Sequence, residues 1–158
     1  MNKNNFLIRV RELKKYFFKE GFFSGEKKPI RAVDGISFSI RKGETLGLVG
    51  ESGCGKTTAG KSILRLIEPT SGQIFFKEQD ILSLDRKAMR TLRPRMQFIF
   101  QDPYESLNPR MKVGEIVGEG MEVHGIARGK EKMRKVSQIL EQVGLHPQDT
   151  SRYAHEFS

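Results

Sequence analysis

An α/β fold is predicted by three features of this 158-residue sequence. An apolar run at 45–49 leads into a glycine-rich loop, and the loop leads into a segment with helical spacing of apolar residues. Alternating residues nearer the amino end indicate half-buried strands, and amphipathic helical spacing dominates after residue 106. We therefore expect an antiparallel β layer over 1–44, an α/β core over 45–101 and a partial helical subdomain over 102–158.

The amino-terminal layer is predicted from apolar residues at every second position. They are Phe6, Ile8 and Val10 in a first stretch, and Ile36, Phe38 and Ile40 in a second. This period is typical of strands with one buried face, and we expect the two strands to pair antiparallel. Between them, residues 19–29 are polar and contain glycine, which predicts a loop. In this loop, Phe22 and Phe23 are either a contact patch or filler.

The glycine-rich loop has the form G-x-x-x-x-G-K-[ST], which is the pattern of a phosphate-binding loop. Its residues are Gly50, Glu51, Ser52, Gly53, Cys54, Gly55, Lys56 and Thr57. Glycines let successive N–H groups curl toward phosphate oxygens, and a helix N-terminus favours an anion. We expect Lys56 to reach the β- and γ-phosphates and the Thr57 hydroxyl to ligate Mg²⁺. The pattern thus predicts a site for a magnesium nucleotide.

The segments that flank the loop supply the setting that it needs. The apolar run at 45–49 predicts a buried parallel strand before it. Behind it, apolar residues fall at helical spacing, and Pro69 is expected to stop that helix. These apolar residues are Ala59, Ile63, Leu64 and Ile67. Strand, loop and helix follow one another in the required order.

The rest of the core is predicted from shorter patterns. Residues 73–76 predict a strand, and Asp85 is expected to cap a basic helix over 86–93. The apolar run at 96–100 predicts a second core strand. Gln101 would then stand at its carboxyl end, where open α/β sheets bind ligands.

Two helices are predicted in the remaining segment. The first covers 113–124, although it contains glycines. The second carries an apolar stripe and ends at Gly144, which stands where a helix-terminating glycine belongs. The stripe consists of Met133, Val136, Ile139, Leu140 and Val143.

The composition limits the classes of function. Lys and Arg number 28 against 19 Asp and Glu, for a net charge of +9. The basic residues are mixed with acidic ones, so we interpret them as a solvated surface rather than a dedicated nucleic-acid face. One cysteine excludes an internal disulfide and is typical of a reducing compartment. The apolar runs are too short for a transmembrane helix or a signal peptide, and the three histidines lack metal-ligand spacing.

Taken together, the motifs resemble those of an ATP-binding-cassette (ABC) ATPase. The loop at 50–57 and the run F-I-F-Q-D-P at 98–103 carry the resemblance. The run S-L-N-P-R at 106–110 is similar to the oligopeptide and dipeptide importer branch, and 152–158 resembles the approach to that branch's signature motif. The resemblance spans essentially the whole chain. It implies a P-loop NTPase fold, here with an incomplete sheet.

The resemblance also implies roles for particular residues. The loop residues, with Thr58, would hold ATP and Mg²⁺. Gln101 is similar to the Q-loop glutamine, which helps to hold Mg²⁺, senses the γ-phosphate and lies where the family contacts its transmembrane permease subunits. An aromatic residue stacks on adenine in the family, and Phe17 is the first choice, with Tyr16 as the alternative.

The implied partners are ATP, the permease subunits and a second ABC ATPase subunit, without a specific nucleic acid. The implied location is peripheral, on the cytoplasmic face of the plasma membrane. The 158 residues lack the family's signature motif, its acidic strand end and its switch histidine. We therefore expect an amino-terminal part of such an ATPase, which binds Mg-ATP at most, has no catalytic residue and hydrolyses ATP negligibly alone.

Three alternatives stay open at this point. One is a P-loop protein that acts on nucleic acid or ribosomes, which the net charge of +9 would suit. Another is a P-loop kinase, for which the sequence offers no acceptor site. The third is a poorly folded remnant without function, because a sheet that lacks strands leaves open edges.

Overall fold

The computed structural model describes residues 6–18, 29–102 and 106–157. The predicted loop with Phe22 and Phe23, Pro103 of the 98–103 motif, and Ser158 lie outside these residues. The chain divides into two compact units, Met1–Phe98 and Ile99–Ser158. The first unit contains β1 (Phe6–Phe18), β2 (Pro29–Arg41), α1 (Lys56–Ile63), β3 (Ser71–Phe76), β4 (Gln79–Asp80), α2 (Arg86–Leu92) and a 3₁₀ turn at Arg93–Arg95.

The strands of the first unit form one antiparallel sheet in the order β2-β1-β3-β4. The predicted pairing of the first two strands is confirmed, with Val10 opposite Phe38 and Lys15 opposite Val33. The register shifts between Val10 and Leu13, where Glu12 has a φ of +45°. Because this irregularity adds a residue to the alternation, Val10 and Leu13 are both buried despite their odd spacing.

Within the described residues of this unit, an apolar cluster joins the sheet to α1 and α2. Its buried members are Val10, Leu13, Val33, Ala59, Ile74, Phe76, Ile81, Met89, Leu92 and Met96. The predicted cap of α2 is confirmed, because the Asp85 carboxylate accepts a hydrogen bond from the Ala88 amide at 2.7 Å. The cluster places α1 against β1 and β2, at one side of the sheet.

The two predicted core strands are wrong. Residues 45–49 and 96–100 are not strands, and Val49 and Ile99 are 94% and 89% exposed. A parallel strand is stable only when neighbouring strands satisfy its backbone groups and cover its side chains. Within the described ranges, the sheet consists of β1 to β4, and neither run pairs with it.

The helix after the loop is confirmed, but it is shorter than predicted. It ends at Ile63 rather than near Pro69, because Arg65 adopts a φ of +54°. The Arg93 guanidinium donates to the carbonyl of Leu64, and to that of Arg65 at 2.9 Å. These bonds satisfy carbonyls that a helix end leaves without partners.

The second unit contains α3 (Val113–Val123), α4 (Gly129–Gln142) and 3₁₀ turns at Pro147–Ser151 and Ala154–Glu156. Val136 and Leu140 of the predicted stripe are buried, and Gly144 has a φ of +83°, so the α4 prediction and its terminating glycine are confirmed. The rest of the stripe is exposed: Met133, Ile139 and Val143.

In the described parts of the chain, no helix has the length and apolarity that crossing a bilayer requires.

Glycines on α3 permit close packing in the second unit. A β-carbon on Gly114 would lie 2.9 Å from the Thr150 carbonyl oxygen, and one on Gly118 would lie 2.8 Å from the Lys132 side chain. Lys132 also forms an ion pair with Glu122 at 2.7 Å. Two of the three glycines that weaken the helical pattern in the sequence are therefore positions of close approach, whereas Gly120 has nothing within 4 Å of its β-carbon position.

Candidate functional site

The glycine-rich loop has a backbone shape that glycine alone accommodates well. Gly53 and Gly55 have φ values of +78° and +97°, in the left-handed region. A β-carbon on Gly55 would also lie 2.0 Å from the Ala32 carbonyl oxygen on β2. Gly55 is the N-cap of α1, so the turn into the helix is fixed by contact with a strand of the sheet.

The amino end of α1 opens onto this loop. Its first regular helical bond runs from the Ala59 amide to the Gly55 carbonyl at 2.8 Å. The amides of Lys56, Thr57 and Thr58 precede that bond, and helical geometry gives them no carbonyl within the helix. Thr57 is exposed and Thr58 is half-buried. Such a cluster of N–H groups, with the helix dipole behind it, is suited to an anion.

The Lys56 ammonium is held across the loop. Its Nζ donates to the carbonyl oxygens of Gly50 at 2.7 Å and Glu51 at 2.6 Å, and lies 3.6 Å from the Cys54 sulfur. The side chain is half-buried. Its charge is therefore kept within reach of the helix N-terminus, where phosphate oxygens could replace the two carbonyls as acceptors.

The remaining loop residues leave the site open. Glu51, Ser52 and Cys54 are exposed. A β-carbon on Gly50 would lie 2.6 Å from the Cys54 sulfur, so the turn closes tightly at its start. The exposed loop, the helix N-terminus and the lysine together fit a phosphate chain.

A cavity of about 180 Å³ lies beside the loop. Its lining is mainly apolar and comes from β2, the loop and the start of α1: Ala32, Val33, Asp34, Ile36, Leu48, Val49, Cys54, Gly55, Lys56 and Ala59. The cavity adjoins the glycine-rich loop on the side of β2. It extends the candidate site beyond the loop itself.

The two candidate aromatic residues differ in their surroundings. The Tyr16 hydroxyl donates to the Asp34 carboxylate, and this bond raises the pKa of Tyr16 and lowers the pKa of Asp34. The Arg31 guanidinium also contacts the Tyr16 ring, 5.7 Å from its centroid. Phe17 is 40% exposed, and the Lys15 ammonium lies 5.0 Å from its ring centroid. Phe17 therefore offers the more accessible ring.

Gln101 belongs to the second unit, where it is exposed. Its predicted contact with Mg²⁺ stays a prediction. In the described ranges, no group of three His, Cys, Asp or Glu residues is arranged to hold a metal ion. A magnesium ion at the loop would instead depend on the Thr57 hydroxyl and on phosphate oxygens, which are the hard ligands that this ion prefers.

Sequence reasoning missed the residues that anchor the carboxyl end of α1, the helix that follows the loop. Arg65 donates to the carbonyls of Ile81 at 2.9 Å and Leu84 at 2.6 Å, and its Nε pairs with Glu68 at 2.8 Å. The spacing of Arg65 and Glu68, three apart, was the available signal for this pair. The contacts of Arg65 and Arg93 with backbone carbonyls depend on distant parts of the chain, so no local sequence pattern predicts them.

Comparison with protein families gives a match to the model described as ABC transporter over residues 33–158. The oligopeptide transport ATP-binding proteins AppF and OppF of Bacillus subtilis are 48% and 47% identical to this chain, each over 154 residues. A putative peptide import ATP-binding protein of Brucella ovis is 49% identical over 152 residues. These alignments cover 96% of this chain but 46% to 48% of each relative, so the chain spans about half of their length.

Solved structures show the same fold. The ATP-binding cassette MJ0796, in a dimeric post-hydrolysis state with ADP and Pi, matches with a TM-score of 0.75 at 23% identity, over 96% of this chain and 63% of that one. The cbiO1 protein from Clostridium perfringens, part of an ABC transporter complex, matches with a TM-score of 0.69 at 26% identity, over 98% and 56%. These similarities confirm the predicted fold class.

Proposed function

Because this chain belongs to the ABC transporter family, we propose that it is the ATP-binding portion of a subunit that energises the import of oligopeptides or dipeptides. The relatives named as oligopeptide transport and peptide import ATP-binding proteins support the class of substrate. The observation that carries the nucleotide site is the position of Lys56, whose ammonium is held by the Gly50 and Glu51 carbonyls beside the open N-terminus of α1.

The phosphate chain would be gripped mainly by the loop. On binding, Lys56 would exchange its two carbonyl acceptors for phosphate oxygens, and the amides of 56–58 would donate to the same group. Hydrogen bonds to charged groups contribute about 1.5–3 kcal/mol each. Several of them supply most of the roughly 8 kcal/mol that a micromolar dissociation constant requires. Stacking of adenine on Phe17 would add about 1–3 kcal/mol.

A magnesium ion would be held by the Thr57 hydroxyl, with Gln101 as a further oxygen ligand, and it would neutralise part of the phosphate charge. Thr57 fits this role because it is exposed in the first turn of α1, directly after Lys56. Oxygen ligands of this kind suit Mg²⁺, which usually binds through few protein groups together with substrate phosphates.

Calorimetric titration of the 158-residue chain with Mg-ATP tests the site. Lys56→Ala should abolish measurable affinity. Lys42→Ala removes the same charge from an exposed turn and serves as the matched control, which should bind like the unsubstituted chain. Unchanged affinity in Lys56→Ala, with both variants folded by circular dichroism, would contradict the nucleotide site.

We further propose that these 158 residues bind ATP without turning it over. The sequence contains no apolar run that ends in an acidic pair to orient the attacking water. The proposal is completed by a second ABC ATPase subunit, by permease subunits contacted through the region of Gln101, and by a location on the cytoplasmic face of the membrane. Phosphate release above background that disappears in Lys56→Ala would contradict the proposed inactivity.

A further inference from the structure

We propose that Lys15 is a positioning residue for the nucleobase. In this proposal, the Lys15 ammonium lies against one face of the Phe17 ring, and the nucleobase stacks on the opposite face. It rests on the proposed function, because it deepens the account of the same nucleotide site.

Lys15 and Phe17 are two residues apart on β1, so their side chains leave the strand on the same face. The Lys15 Nζ lies 5.0 Å from the centroid of the Phe17 ring. This distance is within the range of a cation–π contact, in which the ammonium sits against the negative face of the ring. Phe17 as a residue is still 40% exposed.

The position of Lys15 is itself fixed by the segment that follows α1. Its Nζ donates to the Glu68 carbonyl oxygen at 2.8 Å. The Glu68 carboxylate is held in turn by the Arg65 Nε, at 2.8 and 3.1 Å. Arg65 is only 18% exposed and is anchored by two further carbonyls of the first unit. A chain of contacts therefore joins the ring to the end of the helix that begins at the phosphate-binding loop.

The backbone on either side of Lys15 is attached to the same segment. The Thr70 amide donates to the Lys14 carbonyl at 2.8 Å, and the Tyr16 amide donates to the Thr70 hydroxyl at 2.9 Å. Lys15 thus lies between two hydrogen bonds that tie β1 to the residues after α1. The strand that bears the Phe17 ring is therefore bonded to the segment that follows α1, the helix that begins at the phosphate-binding loop.

This arrangement lowers the cost of binding a base. A ring that is already oriented loses less conformational freedom when a ligand stacks on it, and preorganisation of this kind increases affinity. Tripolyphosphate lacks a base and can use the loop alone. The proposal therefore distinguishes two ligands that share the phosphate chain. Loss of Lys15 should weaken the binding of ATP and leave the binding of tripolyphosphate unchanged.

The test is calorimetric titration of the full 158-residue chain with Mg-ATP and with Mg-tripolyphosphate. Lys15→Met should weaken ATP binding about two- to fivefold, as expected for loss of an exposed cation–π contact, and should leave tripolyphosphate binding unchanged. Lys77→Met is the matched control, since it removes an ammonium that lies 5.6 Å from the Phe76 ring on another strand. That variant should bind both ligands normally.

Two further variants establish the route through Phe17. In a Phe17→Ala background, Lys15→Met should cause no additional loss of ATP affinity. Lys15→Arg should bind ATP like the unsubstituted chain, because a guanidinium can both donate to Glu68 and stack on the ring. If Lys15→Met proves too unstable to titrate, Lys15→Arg decides alone, and a loss of ATP affinity in that variant while tripolyphosphate binds normally would overturn the proposal.

Other results would overturn the proposal in different ways. Equal losses for ATP and tripolyphosphate would show that Lys15 acts on the phosphates through its charge. The same loss with and without the Phe17 ring would show that the ring is not involved. Failure of the nucleotide site itself is distinguishable, because Lys56→Ala would then leave the binding of both ligands unchanged.

Discussion

Gly55 approaches the Ala32 carbonyl so closely that a β-carbon on the glycine would lie 2.0 Å from the carbonyl oxygen. Ala32 is on β2, an edge strand of the sheet, and Gly55 is the N-cap of α1. The loop is therefore seated directly on a strand. This contact holds Gly55, the residue before Lys56, against β2.

The first prediction concerns this contact. Gly55→Ala should destabilise the first unit and abolish ATP binding, because both the φ of +97° and the approach to Ala32 exclude a side chain. Gly43→Ala is the matched control, since Gly43 has a φ of +80° but nothing within 4 Å of its β-carbon position. The control should lose only the roughly 1–2 kcal/mol of a left-handed alanine. Thermal unfolding compares them, and equal losses would contradict a steric role for Ala32.

The second prediction concerns the end of α1. Arg93→Met should lower the free energy of unfolding by about 1.5–3 kcal/mol, because the carbonyls of Leu64 and Arg65 lose a charged donor. Arg86→Met, at an exposed position of α2, should change it by less than about 0.5 kcal/mol. Urea unfolding measures both variants. A loss in Arg86→Met as large as that in Arg93→Met would attribute the effect to net charge instead.

Features that depend on near neighbours could be predicted from the sequence. The cap at Asp85, the terminating glycine at Gly144 and the start of α1 after the loop all rest on contacts within a few residues. The pairing of β1 with β2 followed from alternation and a connecting loop. In each case the backbone partner lies close in sequence or the pattern itself names the buried face.

Features that depend on distant partners could not be predicted in this way. The runs at 45–49 and 96–100 have the composition of core strands, but a strand also needs neighbours to pair with, and composition does not supply them. The contacts of Arg65 and Arg93 with backbone carbonyls join segments 16 to 29 residues apart. For the site, the loop motif marks Gly55 and Lys56 in the sequence, whereas the bond from Lys15 to the Glu68 carbonyl, 53 residues away, has no signature there.

The third prediction decides between the two aromatic residues. Phe17→Ala should weaken Mg-ATP binding by about 1–3 kcal/mol, the value of stacking on one base. Tyr16→Phe removes only the hydroxyl that donates to Asp34, and it should leave ATP affinity unchanged while the ring is kept. Tyr16→Ala should cost less ATP affinity than Phe17→Ala. Calorimetric titration gives all three values, and the reverse order would assign the base to Tyr16.

The fourth prediction concerns acid stability of the second unit. The Asp149 carboxylate accepts two hydrogen bonds, one from the His146 amide at 2.9 Å and one from the Arg152 guanidinium at 3.1 Å. These bonds lower the pKa of Asp149 from its usual 3.8. A lowered pKa in the folded state means that the unfolded chain takes up the proton first as pH falls. The stabilisation by Asp149 is therefore complete above its unfolded pKa and is lost as pH falls through the folded one.

Asp149→Asn should remove this part of the pH dependence. Urea unfolding between about pH 2.5 and 6, at constant ionic strength, should show a shallower acid loss in the variant than in the unsubstituted chain. Arg152→Met is the comparison that keeps the larger cause, the bond from the His146 amide, so it should retain part of the slope. In Asp149→Asn, the asparagine oxygen can still accept a hydrogen bond from the His146 amide. This variant therefore separates the effect of the carboxylate charge from the effect of the hydrogen bond. Parallel acid profiles for Asp149→Asn and the unsubstituted chain would show that the carboxylate charge does not contribute to folding.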